Sequence, residues 1–426
     1  MISMTRGKDR NMPRICALGA LVVLLSTACS VPNHDKVWLS YNNFDKGCDN
    51  LANCSDLTND ADASYYYQTI GAEDANGNPN FNLEQWKQLF GYADATVVRA
   101  VYGNKLDLQF GRDMNCWQPQ GTARVVCYVS NYGPPPFVAG RENAAWPFLA
   151  SGVLDAAEAD IHKSFGTVAM VFDPNGIGPN PSTAQNIAFY AFGKAGADGN
   201  QPLIRSVALD GEGPKTVPGM CRTCHSGGNH GGLYHQNNFL PFDVQSFSFD
   251  STFYDYEGTI IGPSGLDMDN QQEAFRQLNA LVMKTHPAPA IQNLINGLYA
   301  GSVDSPGAAV PDDAYIPAGW DVDKTSRNVY RHVYRPYCRT CHVAQQYNLD
   351  LDWDLSFQRA SDFTKQQQRM LSALCGTHAM PNAQVPYGAF VPGTFGTAKF
   401  PGLWTNGVAQ SDLRDFFLAN GMGSCF

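Results

Sequence analysis

The sequence predicts an α+β, loop-rich fold: a mixed, strand-containing domain at the front, an irregular middle region and an all-α domain at the end. Three observations carry this expectation. The 426 residues include 40 Gly and 26 Pro, which keep elements short and turns frequent. Runs rich in β-branched and aromatic residues, separated by turn clusters, recur through residues 66–200. Apolar residues take helical spacing over residues 270–299 and again after residue 320. A hydrophobic content of 44% at this length supplies apolar surface for two or three buried cores.

Taken in order, residues 1–28 read as a targeting segment. Arg6, Lys8, Arg10 and Arg14 precede an apolar run over residues 15–25, too short for a bilayer span and suited to a signal h-region. It ends in Ser26, Thr27, Ala28 and Cys29. Small residues followed at once by Cys resemble a bacterial lipobox, with Ser26 where Leu is usual. That resemblance implies export, lipidation of Cys29 and anchoring by lipid. Ser30 after the Cys, in place of Asp, points to the outer membrane, on its periplasmic or cell-surface side. Residues 29–65 are polar and rich in Asn and Asp, as a tether would be.

Residues 66–200 form the front domain, with a helical pattern over 82–102 and strand-like stretches at 123–130, 166–172 and 186–192. Turn clusters at 132–136 and 173–176 separate them. Residues 201–300 open with a strand-like run, 203–209, then pass a glycine-rich loop, 226–233, and an extended aromatic stretch, 239–256. Helices are expected at 270–284 and 288–299, broken by Pro287 and Pro289. Residues 301–319 read as an interdomain linker. In the last domain, 320–426, helices are expected at 323–337, 361–375 and 411–420, the last with Ser411 as N-cap and Gly421 past its end.

One pentapeptide, Cys-Arg-Thr-Cys-His, occurs twice: Cys221, Cys224 and His225, then Cys338, Cys341 and His342. CxxCH is the attachment signal of haem c: two thiols form thioethers with the haem vinyl groups, and the adjoining His becomes the proximal iron ligand. A zinc site would want a second Cys/His pair nearby, and a redox dithiol a surrounding βαβ pattern. Two identical motifs in an exported chain point to two covalent haems.

The setting of the second motif resembles the class I cytochromes c over about residues 320–426. A helix delivers the CxxCH, Met380-Pro381 lies in a loop 38 residues after His342, and a terminal helix follows. The resemblance implies Met380 as sixth ligand, with His378 as its rival, and a reduction potential above that of a bis-His site. The first motif fits that family less well. Its leading candidate for the sixth ligand is Met268, 43 residues after His225, with His235 and Met114 behind it. Met170, His230, Met283, His286 and a five-coordinate iron stay open. A weaker similarity, through residues 111–114, 127–132 and 240–243, is to bacterial dihaem lipoproteins of undefined role.

Of the 12 Cys, Cys16 leaves with the signal, Cys29 takes the lipid and four serve the motifs. Cys48, Cys54, Cys116, Cys127, Cys375 and Cys425 remain, an even number that suits three disulfides in an oxidising compartment. Closeness in the chain favours 48–54 and 116–127, leaving 375–425. The formal charge of −10 becomes more negative once the basic signal is removed, which argues against nucleic acid and favours a basic redox partner protein. The leading functional expectation is a relay of single electrons. The alternatives are a dihaem enzyme of peroxidase, oxygenase or dehydrogenase type, catalysing at the first haem, and a subunit of an outer-surface electron conduit.

Overall fold

The computed structural model describes residues 60–104, 110–133, 145–180, 185–207, 214–225, 229–230, 233–234, 237–249, 265–305, 310–345, 355–366, 371, 403, 406–421 and 423. The signal segment, Cys29, Cys48, Cys54, His235, Cys375, His378, Met380 and Cys425 lie outside them. The architecture is mixed α and β, as expected. No described helix is long and apolar enough to cross a membrane.

Helices α1 (Asp60–Thr69) and α2 (Leu83–Leu89) come first. Asn82 caps α2 in a reciprocal box: its side chain accepts from the Gln85 N–H at 3.0 Å, and the Gln85 side chain accepts from the Asn82 N–H at 2.9 Å. The helix expected over 82–102 ends here, because Gly91 turns the chain left-handed at φ 71. The rest of that span becomes strand β1 (Val98–Asn104). Val98, Val101 and Tyr102 are residue types that pack well on a pleated surface, and pairing with neighbours outweighs their helix-compatible spacing.

β1 belongs to a six-stranded antiparallel sheet with β2 (Gly111–Trp117), β3 (Val125–Tyr132), β4 (Ser164–Ile177), β5 (Gln185–Phe192) and β6 (Phe247–Ser248). Its order is β6-β1-β2-β3-β4-β5. β3, β4 and β5 match the expected strands; β1 and β2 were not anticipated. The expected strand over 203–209 shrinks to Ser206–Val207, paired with Lys215–Thr216.

Directly opposed residues share a face, as do residues two apart along a strand. Helix α3 (Ala145–Glu158) covers one face, where its Val153 and Ala156 pack on Val101 and Tyr132. Two glycines permit that approach: a Cβ on Gly111 would stand 2.0 Å from the Gly152 carbonyl carbon. The other face carries Tyr102, Arg112, Met114, Val129 and Met170, fixed by the pairings Tyr102↔Arg112, Met114↔Val129, Val129↔Val168 and Met170↔Phe189.

After β5 come α4 (Gly219–His225), α5 (Met268–Met283) and α6 (Pro289–Leu298), with β6 between α4 and α5. The last two match the sequence expectation. Asp267 caps α5 by accepting from the Asn270 N–H at 2.8 Å, and Pro289 starts α6 where a missing N–H is harmless. One buried cluster runs from Tyr66 of α1 through the sheet and α5–α6 to Val343 and Ala344. The front domain and the region around the first motif therefore share a core. Residues of the expected linker are held to it: Val303 is buried, and the Asp312 N–H donates to the Leu298 carbonyl at 2.7 Å.

The final segment begins with α7 (Lys324–Val329), capped by Asp323, which accepts from the Ser326 N–H at 2.7 Å. α7 runs directly into a π-helical stretch, Tyr330–Cys338, and then into α8 (Arg339–His342). Pro336 has no N–H for the carbonyl one turn back, and the helix widens around it. α9 (Ala360–Lys365) and α10 (Gly407–Ala419) complete the described elements. α10 starts a turn earlier than expected. Asn406, not Ser411, is its cap, accepting from the N–H groups of Val408 and Ala409 at 3.1 and 3.2 Å. A second core gathers Trp320, Tyr330, Tyr334, Phe363, Leu413 and Phe416.

Candidate functional site

Both pentapeptides are helical, which sets the second Cys and the His of each one turn from the first Cys. His225 is held through Nδ1, 2.9 Å from the carbonyl oxygen of Asn238. His342 is held the same way, its Nδ1 3.0 Å from the carbonyl oxygen of Leu355. In each case the carbonyl lies 13 residues after the His. A carbonyl can only accept, so Nδ1 carries the proton and Nε2 keeps its lone pair. Burial pushes both imidazoles down to about 4, against the pull of those carbonyls; at His225 the Arg112 guanidinium adds to the downward shift. Both rings are therefore neutral at pH 7, with Nε2 able to bind a metal and Nδ1 anchored behind it. An aromatic ring flanks each: Phe189 lies 5.6 Å from His225, and Phe357 lies 5.1 Å from His342, between centroids.

The first thiol of each motif, Cys221 and Cys338, is pushed up to about 12 by burial. A redox dithiol needs the opposite, a nucleophilic Cys shifted down. Among the described residues, no group of three or more His, Cys, Asp or Glu is arranged to hold a metal ion. A haem iron would take only one His from each motif. The donor set thus fits covalent haem: paired thiols on one turn, and beside them a buried neutral His with its far nitrogen presented.

The two motifs pack against each other. The Sγ atoms of Cys224 and Cys341 lie 3.2 Å apart, and the Gln345 side-chain amide donates to the Thr223 carbonyl at 3.2 Å. Arg339, inside the second motif, is 2% exposed and reaches back to Asp243. Its Nε donates to Oδ2 at 2.8 Å and its Nη2 to Oδ1 at 2.7 Å; Tyr330 and Gln245 accept further bonds at 2.5 and 2.7 Å. This buried fork ties the loop after the first motif to the helix of the second.

A cavity of about 190 Å³, partly open to solvent, lies beside the first motif. Cys221, Cys224 and His225 line it on one side. The sheet face lines it on another, with Arg112, Met114, Asn131 and Met170. Phe239–Asp243 and Leu294 complete it together with Arg339, Thr340 and Val343 of the second motif region.

Of the residues singled out in the sequence, the structure brings Met114 and Met170 into this cavity. It does not bring Met268 there: that residue is the first of α5, packed at the margin of the core and absent from the cavity wall. Met283 also packs against the core, and the His286 ring faces Phe172 at 6.3 Å. Cys116 and Cys127, opposed on β2 and β3, form the expected disulfide. His332, an isolated histidine in the sequence, contacts Asp412 of α10 at 2.5 Å. Arg112, Asn131 and Asp243 fall within the segments 111–114, 127–132 and 240–243 that carry the weaker similarity, but the sequence assigned them no role and gave no sign of the Asp243–Arg339 pair.

No protein-family model matches the chain, and neither a curated protein nor a solved structure does.

Proposed function

We propose that this chain is a dihaem c-type cytochrome that relays single electrons between redox partners. The observation that carries the reading is the matched pair of buried, neutral histidines in CxxCH helices, each anchored by a carbonyl at the same interval, with Cys224 and Cys341 in contact. Cys221, Cys224 and His225 would hold one haem, and Cys338, Cys341 and His342 the other. Each haem supplies an iron that takes up and releases one electron. The protein's own residues orient Nε2 through the Asn238 and Leu355 carbonyls, exclude water with the aromatic walls and keep the two attachment helices side by side. The final segment, with Met380 as sixth ligand of the second haem, is read as a class I cytochrome c-like domain. Export and lipidation at Cys29 would set the chain in the outer membrane, facing a basic partner.

The test is heterologous export in a host that matures cytochromes c. Two haems per chain should remain after denaturation, and Cys221→Ser with Cys224→Ser should leave one. A chain that emerges without covalent haem sinks the reading. Labelled fatty acid should enter the wild type and not Cys29→Ser.

The opening of the cavity at the first motif, where Arg112 and Asn131 line it together with His225, favours a second reading, a dihaem enzyme of peroxidase, oxygenase or dehydrogenase type that binds its substrate there. Cyanide or carbon monoxide shifting half of the haem spectrum of the wild type would support it. Indifference of both haems to added ligand would sink it.

A further inference from the structure

Met114 lines the cavity at the first motif together with His225. Resting on the dihaem reading above, we infer that the front sheet donates the Sδ of Met114 as the sixth ligand of the iron bound by His225.

Four observations lead there. First, Nδ1 of His225 is tied to the Asn238 carbonyl, and the two nitrogens of an imidazole face away from each other. Nε2 therefore faces away from the Asn238 carbonyl, and the cavity that His225 lines is also lined by the sheet face. Second, that face presents two thioethers to the cavity, Met114 and Met170. Third, the register separates their roles. Met170 pairs directly with Phe189, the ring that flanks His225, so Met170 stands beside the histidine. Met114 lies two strands further across, about 10 Å at the usual strand spacing. The strand that carries it also carries Arg112, which lines the same cavity as His225. Fourth, Met114 is 9% exposed, with the disulfide-bonded Cys116 two residues on, so its strand is braced.

This assignment gives the front sheet a direct part in the redox site. It replaces Met268, which the fold keeps at the start of α5. It also fills the position a substrate would need, which favours relay over catalysis at the first haem. A thioether prefers Fe(II) to Fe(III), so the first haem also shifts to higher potential than a bis-His site.

The test reads the near-infrared charge-transfer band of Fe(III) bound to a thioether, by magnetic circular dichroism of the full exported chain. Met380→Ala removes any contribution of the second haem. The band that survives in Met380→Ala should vanish when Met114→Leu is added, and the high-spin ferric signal that cyanide shifts should grow from one haem per chain to two. Met170→Leu in the same background should leave the band in place. Met114→His keeps a strong ligand and should give a low-spin bis-His signal instead. Loss of the whole band in Met380→Ala alone overturns the assignment, as does its persistence in Met380→Ala with Met114→Leu. Covalent haem content, measured in the same samples, separates the two claims: two haems with an indifferent Met114 overturns only the ligand, and absent haem overturns both.

Discussion

Cys224 and Cys341 belong to helices 117 residues apart in the chain, yet their sulfur atoms lie 3.2 Å from each other. A thioether bridge on each would bring the rims of the two haems together at this contact. Tunnelling falls steeply with distance, so the electron should move between the sites faster than it moves to any partner. Flash reduction should show a first-order redistribution between two spectrally distinct haems, at a rate independent of protein concentration. Redistribution that speeds up with concentration would mean that the sites communicate only between molecules.

The Arg339–Asp243 pair is almost fully enclosed, with exposures of 2% and 4%. Asp243→Ala strands a buried guanidinium and should destabilise the protein by about 3–5 kcal/mol. Arg339→Met combined with Asp243→Leu removes both charges and should recover most of that loss. Urea midpoints for the two single variants and the pair check this. Losses that simply add in the pair would show that the residues do not interact.

Asp323 caps the helix that leads into the second motif, and the Ser326 N–H it accepts, the largest influence on it, holds its carboxyl below 3.8. A carboxyl depressed by folding stabilises the native state above the unfolded value. That contribution disappears as the pH falls through the folded one. Asp323→Ala should cost about 1 kcal/mol at pH 7. Asp323→Asn keeps an acceptor and should lose only the part due to charge, and its difference from wild type should vanish in acid below the carboxylate range. A difference that grows on acidification would refute the assignment.

The Cys116–Cys127 bond staples β2 to β3 at the wall of the cavity. Replacing both by Ala should lower stability by about 2–4 kcal/mol. If Met114 is bound as inferred, the thioether band should weaken in parallel, because its strand loses a brace. Melting followed at the haem absorbance and at the far-ultraviolet signal reports both effects.

What the sequence disclosed was whatever is written in neighbouring residues. The CxxCH motifs, the helices of Met268–Met283 and Pro289–Leu298, the strands β3 to β5 and the Cys116–Cys127 pairing all rest on local spacing. β1 was missed because residues 82–102 have apolar spacing compatible with a helix; only Gly91, at positive φ, divides them. Met114 could not be placed while its strand was unrecognised, since its direction follows from pairing with Val129. Asp243 and Arg339 stand 96 residues apart and leave no local trace of their contact. Met268 was favoured because its interval from the motif resembles that of Met380, and sequence interval says little about direction in a fold built from a sheet.

The sheet's sixth strand, Phe247–Ser248, comes after the first motif in the chain and pairs with Gly103 and Asn104 of β1. That has a consequence for biogenesis. The first five strands precede the motif in the chain, but the edge of β1 stays unpaired until residue 248 has followed. If haem is attached at Cys221 and Cys224 as proposed, attachment would have to precede closure of that wall, and the chain order provides the interval. The late strand would then work as a clasp that closes last.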